Sequence, residues 1–295
     1  MPYHEDIPNF IKPSSTVKPT PQTSEEPDRE SVFELDDTLP LESFDISLQL
    51  LGGGLDAIET VLQRSQIQHL TSLNIQTSRD WQRQPDVDLR LVFVDGADTE
   101  ALRHLKHEPA LEEGPLTILV LINADRAELS QLPVSRQSVV DTQIQFSGAE
   151  DIIHQQVDQF YRFLLSTVYA QQRLVCVDWA DIRCVLLLSR RLEFRGGCPS
   201  EVDSLAQAAD CLIRQFSQQQ LQQTKSLLLY EHSSAALSGG QGRAIEGFSD
   251  ACDLVIGAVA DDCYTVVSIG FQVPEDGPGI TGLLIGLPSY SAEGV

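Results

Sequence analysis

Leu174-Val-Cys-Val-Asp-Trp-Ala-Asp-Ile-Arg-Cys-Val185 joins an apolar, strand-like run to an apolar, helix-like run and sets two carboxylates, Asp178 and Asp181, at the junction. Carboxylates in such a loop can polarise an attacking water. Upstream, residues 149–170 read as one long helix, with Ile152, Ile153, Val157, Phe160, Phe163, Leu164 and Val168 forming a stripe wide enough to touch two bodies. Downstream, helices are expected through Ile182 to Arg190 and from about Ser200 to Gln218. Ser226–Tyr230, Leu254–Val259 and Tyr264–Phe271 read as closing strands.

Further upstream, Phe44–Leu51 alternates like a strand, Gly52-Gly53-Gly54 follows, and a helix is expected through Leu55–Leu62. Leu89–Val94 and Leu116–Ile122 are near-continuous apolar runs, the signature of strands covered on both faces. Helical patterns such as Glu100–His107 lie between them, so the chain is expected to be α/β with a mostly parallel, Rossmann-like sheet. The expected organisation is a tail at 1–43, an α/β domain at 44–148, a central helix at 149–172, a smaller α/β C-terminal domain at 173–272 and a flexible tail at 273–295. The first tail is rich in Pro, Ser, Thr and Glu and cannot bury enough surface to offset its ordering entropy.

The chain has 295 residues, with 20 Lys plus Arg against 43 Asp plus Glu, a net charge of −23. That balance excludes phosphate-backbone binding and docking on anionic lipid by charge. No apolar run approaches the ~20 residues needed to span a bilayer, and the N-terminus has neither a basic start nor an apolar core. A cytoplasmic protein without direct membrane insertion is therefore expected. Six cysteines without a Cys-x-x-Cys pair read as reduced, buried thiols. His104 and His107 stand three apart beside Glu108, but a solvated helix face is the preferred reading and no metal is expected.

The segment at Val175–Val185 resembles the catalytic loop and following helix of the bacterial division GTPase FtsZ, a tubulin relative. There an Asn-x-Asp-x-x-Asp motif precedes a helix and acts on GTP bound by the next subunit of a filament. Asp178 and Asp181 match the two aspartates, and Cys176 replaces the asparagine. The three closing runs and the order of parts extend the resemblance from about Phe44 to Phe271, implying an FtsZ/tubulin-like fold.

The nucleotide half departs from the family pattern. Glycine loops hold phosphate because backbone N–H groups can surround the anion. Gly52, Gly53 and Gly54 keep part of the first loop, but the second, expected after Val94, is replaced by Asp95-Gly-Ala-Asp-Thr-Glu100. Its carboxylates, Asp95, Asp98 and Glu100, repel a triphosphate. Gln156 stands where the family has a guanine-binding Asp, and Asp158 is two residues out of register. No GTP or other cofactor is expected, and the aspartate pair reads as vestigial. Leu237-Ser-Gly-Gly-Gln241 spells an ABC-transporter signature, yet no Gly-x-x-x-x-Gly-Lys-Ser/Thr loop accompanies it, so a surface turn before a helix is preferred.

Asp6-Ile-Pro-Asn-Phe-Ile-Lys12, within the tail peptide 5–12, resembles the peptide that ends FtsZ and is grasped there by membrane tethers and regulators. Ile7, Phe10 and Ile11 cluster at helical spacing and Asp6 precedes Pro8, which suits a one-turn helix docking in a groove. The same segment could instead dock on its own domain. Together these readings point to a non-catalytic, pseudo-GTPase relative working in bacterial cell division through contacts with FtsZ or with proteins that bind its tail. The alternatives are a divergent self-assembling GTPase and a structural scaffold unrelated to division.

Overall fold

Strands lined on both faces by aliphatic side chains need helices above and below them, and the computed structural model supplies both layers. It describes residues 44–65, 73–82, 84, 86–107, 114–124, 139–169, 177–197, 204–233, 241–271 and 280–288. The tail peptide 5–12, Cys176, Glu108 and residues 237–240 lie outside these. The first part comprises β1 (Phe44–Leu51), α1 (Asp56–Ser65), β2 (Leu73–Ser78), β3 (Leu89–Asp95), α2 (Thr99–His107), β4 (Leu116–Ile122) and β5 (Thr142–Phe146). The long helix α3 (Glu150–Tyr169) follows. After it come α4 (Trp179–Leu187), β6 (Arg191–Gly196), α5 (Leu205–Ile213), α6 (Gln218–Gln223), β7 (Ser226–Ser233), α7 (Gln241–Ala258), β8 (Tyr264–Phe271) and β9 (Ile280–Leu287).

The strands form one nine-stranded sheet in the order β2-β1-β3-β4-β5-β6-β9-β7-β8. Neighbours from β2 to β6 are parallel, as are β7 and β8, while β9 runs antiparallel between β6 and β7. The parts expected at 44–148 and 173–272 thus share a sheet, and Leu41–Val295 forms one compact unit. Their join is narrow: β5 and β6 pair only at Gln143↔Arg191 and Ile144↔Leu192.

Helix α3 backs that join. Phe160 lies 5.6 Å from Phe146 on one side and 5.6 Å from Phe194 on the other, ring centre to ring centre. Phe163 reaches Phe194 at 5.0 Å and Tyr230 at 6.1 Å. Val157, Phe160, Phe163 and Leu164 are fully buried, as the apolar stripe implies, but Ile152 is 47% exposed at the helix start. Helices α1, α3 and α4 cover one sheet face, while α2 and, further along, α5 to α7 cover the other.

Four sequence expectations need correction. Leu254–Val259 is not a strand: Leu254–Ala258 ends α7 and Val259 follows it, and Ala251, Val255 and Val259, at intervals of four, are buried, whereas Leu254 and Ile256 stay exposed. The supposed tail from residue 273 contains β9, whose Leu283, Leu284 and Ile285 are fully buried. Two of the glycines that make this stretch look flexible, Gly282 and Gly286, sit in close packing: a Cβ on Gly286 would lie 2.1 Å from Ser189 Oγ and 2.2 Å from Ser226 Oγ. The helix expected from about Ser200 to Gln218 is shorter, Leu205–Ile213, and a separate helix, α6, opens at Gln218 behind a capping box of Ser217 and Gln220. The helix after the Asp178 loop begins at Trp179 and stops at Leu187.

Candidate functional site

In a parallel sheet the loops after the strand carboxyl ends are where ligands gather. The register Leu51↔Val94 and Asp95↔Ile122 brings the ends of β1, β3 and β4 level. After β1, Gly52 and Gly54 take φ of 92° and 80°, a conformation costly for any residue with a Cβ, and α1 starts at Asp56. This is a strand–glycine–helix turn of the kind that can cradle an anion.

The space beside it is filled by carboxylates of the chain itself. Asp98 caps α2, accepting the Ala101 N–H on Oδ1 at 3.0 Å. Its Oδ2 would lie 2.1 Å from a Cβ on Gly52. Asp95 accepts the Ala97 N–H on Oδ1 at 3.0 Å, and its Oδ2 stands 3.1 Å from the Cβ position of Gly54. Each aspartate therefore fixes its own loop with one oxygen and leans over the glycine turn with the other. A phosphate entering here would meet two anions at close range. Asp98 also occupies the α2 N-terminus, where helix amides otherwise favour an incoming anion.

Asp178 and Asp181 are assembled differently. Asp178 is the N-cap of α4: its Oδ1 accepts the Asp181 N–H at 2.9 Å, while Asp181 Oδ2 accepts the Asp178 N–H at 3.3 Å. Asp181 Oδ1 also accepts the Tyr264 hydroxyl at 3.1 Å, tying α4 to the start of β8. Burial pushes the Tyr264 phenol above its ordinary range, and the hydrogen bond to Asp181 and nearby carboxylates push it the same way. The pair thus has a structural task, with Asp178 exposed and Asp181 half-buried, and Tyr264 is a partner that sequence spacing could not reveal.

The two groups do not meet within one molecule. Trp179, beside Asp178, stacks edge-on against Phe44 at the first residue of β1, with ring centres 4.9 Å apart. The glycine turn follows the last residue of that eight-residue strand, which puts it roughly 25 Å away at the usual rise per residue. Asp158 faces neither group: it accepts the Ser65 hydroxyl at 2.5 Å and pairs with Arg162 at 3.9 Å, holding the end of α1 to α3. His104 packs edge-on against Trp81, with ring centres 6.4 Å apart. Among the described residues no group of three metal-ligating side chains occurs, and no helix is long and apolar enough to cross a membrane.

No family model and no curated protein matches the chain, but solved structures do. An empty FtsZ dimer from M. jannaschii aligns over 84% of this chain and 88% of its own, with a TM-score of 0.53 at 10% identity. A point mutant of M. jannaschii FtsZ aligns over 83% and 91%, with a TM-score of 0.53 at 12% identity. The chain has the FtsZ/tubulin-like fold. TubZ of Bacillus thuringiensis serovar israelensis, in a GTPγS-form protofilament, shares the FtsZ/tubulin-like arrangement over 82% of this chain and 86% of its own, with a TM-score of 0.51 at 10% identity. At such identities the likeness is one of fold.

Proposed function

We propose that this chain is a non-catalytic FtsZ/tubulin-like protein that acts in bacterial cell division through protein contacts, binding FtsZ filaments or the proteins that hold the FtsZ tail. The observation that carries this reading is the pair Asp95 and Asp98 leaning over Gly52 and Gly54, which sets negative charge where a triphosphate would need N–H groups. A subunit that presents the Asp178/Asp181 end but cannot load the glycine end would dock at one terminus of a filament and stop its growth, because head-to-tail assembly needs both ends.

Sedimentation of FtsZ with the wild-type chain and with Asp178→Ala/Asp181→Ala tests capping. Shorter polymers with the wild type and relief by the double variant are expected; unchanged polymer mass and length with both would end the capping model. Deleting residues 5–12 tests the tail: recruitment to the division site should fall, and full recruitment would dismiss that peptide.

A divergent self-assembling GTPase is the second reading. It is favoured by the placement of the two groups at opposite ends of β1, as a site shared between successive subunits requires. Micromolar affinity for GTP would select it over the first.

A further inference from the structure

Among the described residues, β8 is the last strand of the sheet, and nothing among them pairs with its outer side. Tyr264 N–H donates to the O of Lys225, the residue just before β7, at 3.0 Å, and alternate residues of a strand turn their backbone groups to alternate sides. The N–H and C=O of Thr265, Val267 and Ile269 therefore point away from β7. Sheet edges are usually blunted by a charge, a proline or a bulge, yet Tyr264-Thr-Val-Val-Ser-Ile-Gly-Phe271 has no charge or proline and runs in unbroken register with β7.

Apolar side chains overhang this edge on both faces. On one, Tyr264 remains 37% exposed beside α4. On the other, α7 lies over β8 with Val255 and Val259 inward, and α5 packs on its inner flank, where Gly247 meets Ser204 and Leu205. Nine residues, two and a half helical turns, separate Gly247 from Ile256, which places Ile256 on the opposite flank, above the open edge. Ile256 is 60% exposed, more than any other large hydrophobic among the described residues.

The charges around the edge specify the visitor. Asp253 on α7, Asp261 in the turn before β8 and Asp178 at the start of α4 are exposed, and the nearby Lys225 is already bound by Asp262 at 2.8 Å. A second copy would set these acids against their own kind. We propose that β8 is a docking edge for an extended segment of another polypeptide, apolar at alternate positions and flanked by lysine or arginine, which adds a tenth strand between Ile256 and Tyr264. This stands apart from the nucleotide question.

The test uses the full chain and a synthetic ten-residue peptide of alternating threonine and valine with two lysines at each end. Hydrogen exchange should slow by about tenfold or more at the amides of Thr265, Val267 and Ile269 and stay unchanged at Tyr264, Val266 and Ser268. Ile256→Glu and Thr265→Pro, both at positions outside the buried core, should each weaken the peptide about tenfold. Binding without that alternate pattern, or equal binding by a proline-interrupted peptide, overturns the proposal. So does prior protection of the three amides that is lost on deleting residues 1–43, which would make the occupant the chain's own N-terminal segment. A dimer abolished by Thr265→Pro would likewise replace the visiting strand with a second copy.

Discussion

Asp98 uses its two carboxylate oxygens for different ends. One closes the first turn of α2 through Ala101, and the other leans on Gly52. Asp98→Ala should therefore lower stability by about 1 kcal/mol through loss of the cap, whereas Asp98→Asn, which keeps a capping oxygen, should stay close to wild type; urea denaturation midpoints distinguish them. Glu231 gives a pH signature. Burial raises its carboxyl above the ordinary value of 4.5, so the folded state holds that proton more tightly than the unfolded one. The stability it withholds at neutral pH returns as pH falls through its folded value toward 4.5. Glu231→Gln should raise the melting temperature at pH 7 and shrink the difference from wild type toward pH 4.5. At this scale the acidic replacement of the second glycine loop was legible in the letters. The Tyr264–Asp181 and Ser65–Asp158 bonds were not, because they join residues 83 and 93 positions apart.

Among elements, α7 and β9 show where pattern and packing part company. Leu254-Val-Ile256 has strand-like composition, yet only Val255 of the three is buried, because helical period selects every third or fourth residue. Val255→Ala should cost about 2 kcal/mol, while Ile256→Ala should change stability by less than about 0.5 kcal/mol; thermal melts of both variants check this. β9 escaped notice for the opposite reason. Gly282 and Gly286 dilute its apolar run, but each lies where neighbouring side chains leave no room for a Cβ. Long, undiluted segments such as β3, β4 and α3 matched their expected spans within a residue or two.

For the whole molecule, strand–helix alternation was enough to imply a mostly parallel sheet with a long helix at its centre. The strand order was not, since β9 returns from the chain's end to lie between β6 and β7, and no local pattern records a crossover. Charge also acts at this scale. A net −23 spread over 295 residues repels itself, so raising sodium chloride from about 10 mM to about 500 mM, where screening shortens to a few ångströms, should raise the melting temperature. A flat or falling response would mean that the described ion pairs, such as Arg79 with Asp56 and Glu59, outweigh the repulsion.

The two-rung join between β5 and β6 gives the Phe160 ring a thermodynamic office. Because one side chain is wedged against Phe146 before the join and Phe194 beyond it, neither half can melt without stripping the other of a core wall. Scanning calorimetry should therefore record a single endotherm. Phe160→Ala, at a cost of about 4 kcal/mol, should move that whole peak downward instead of splitting it in two.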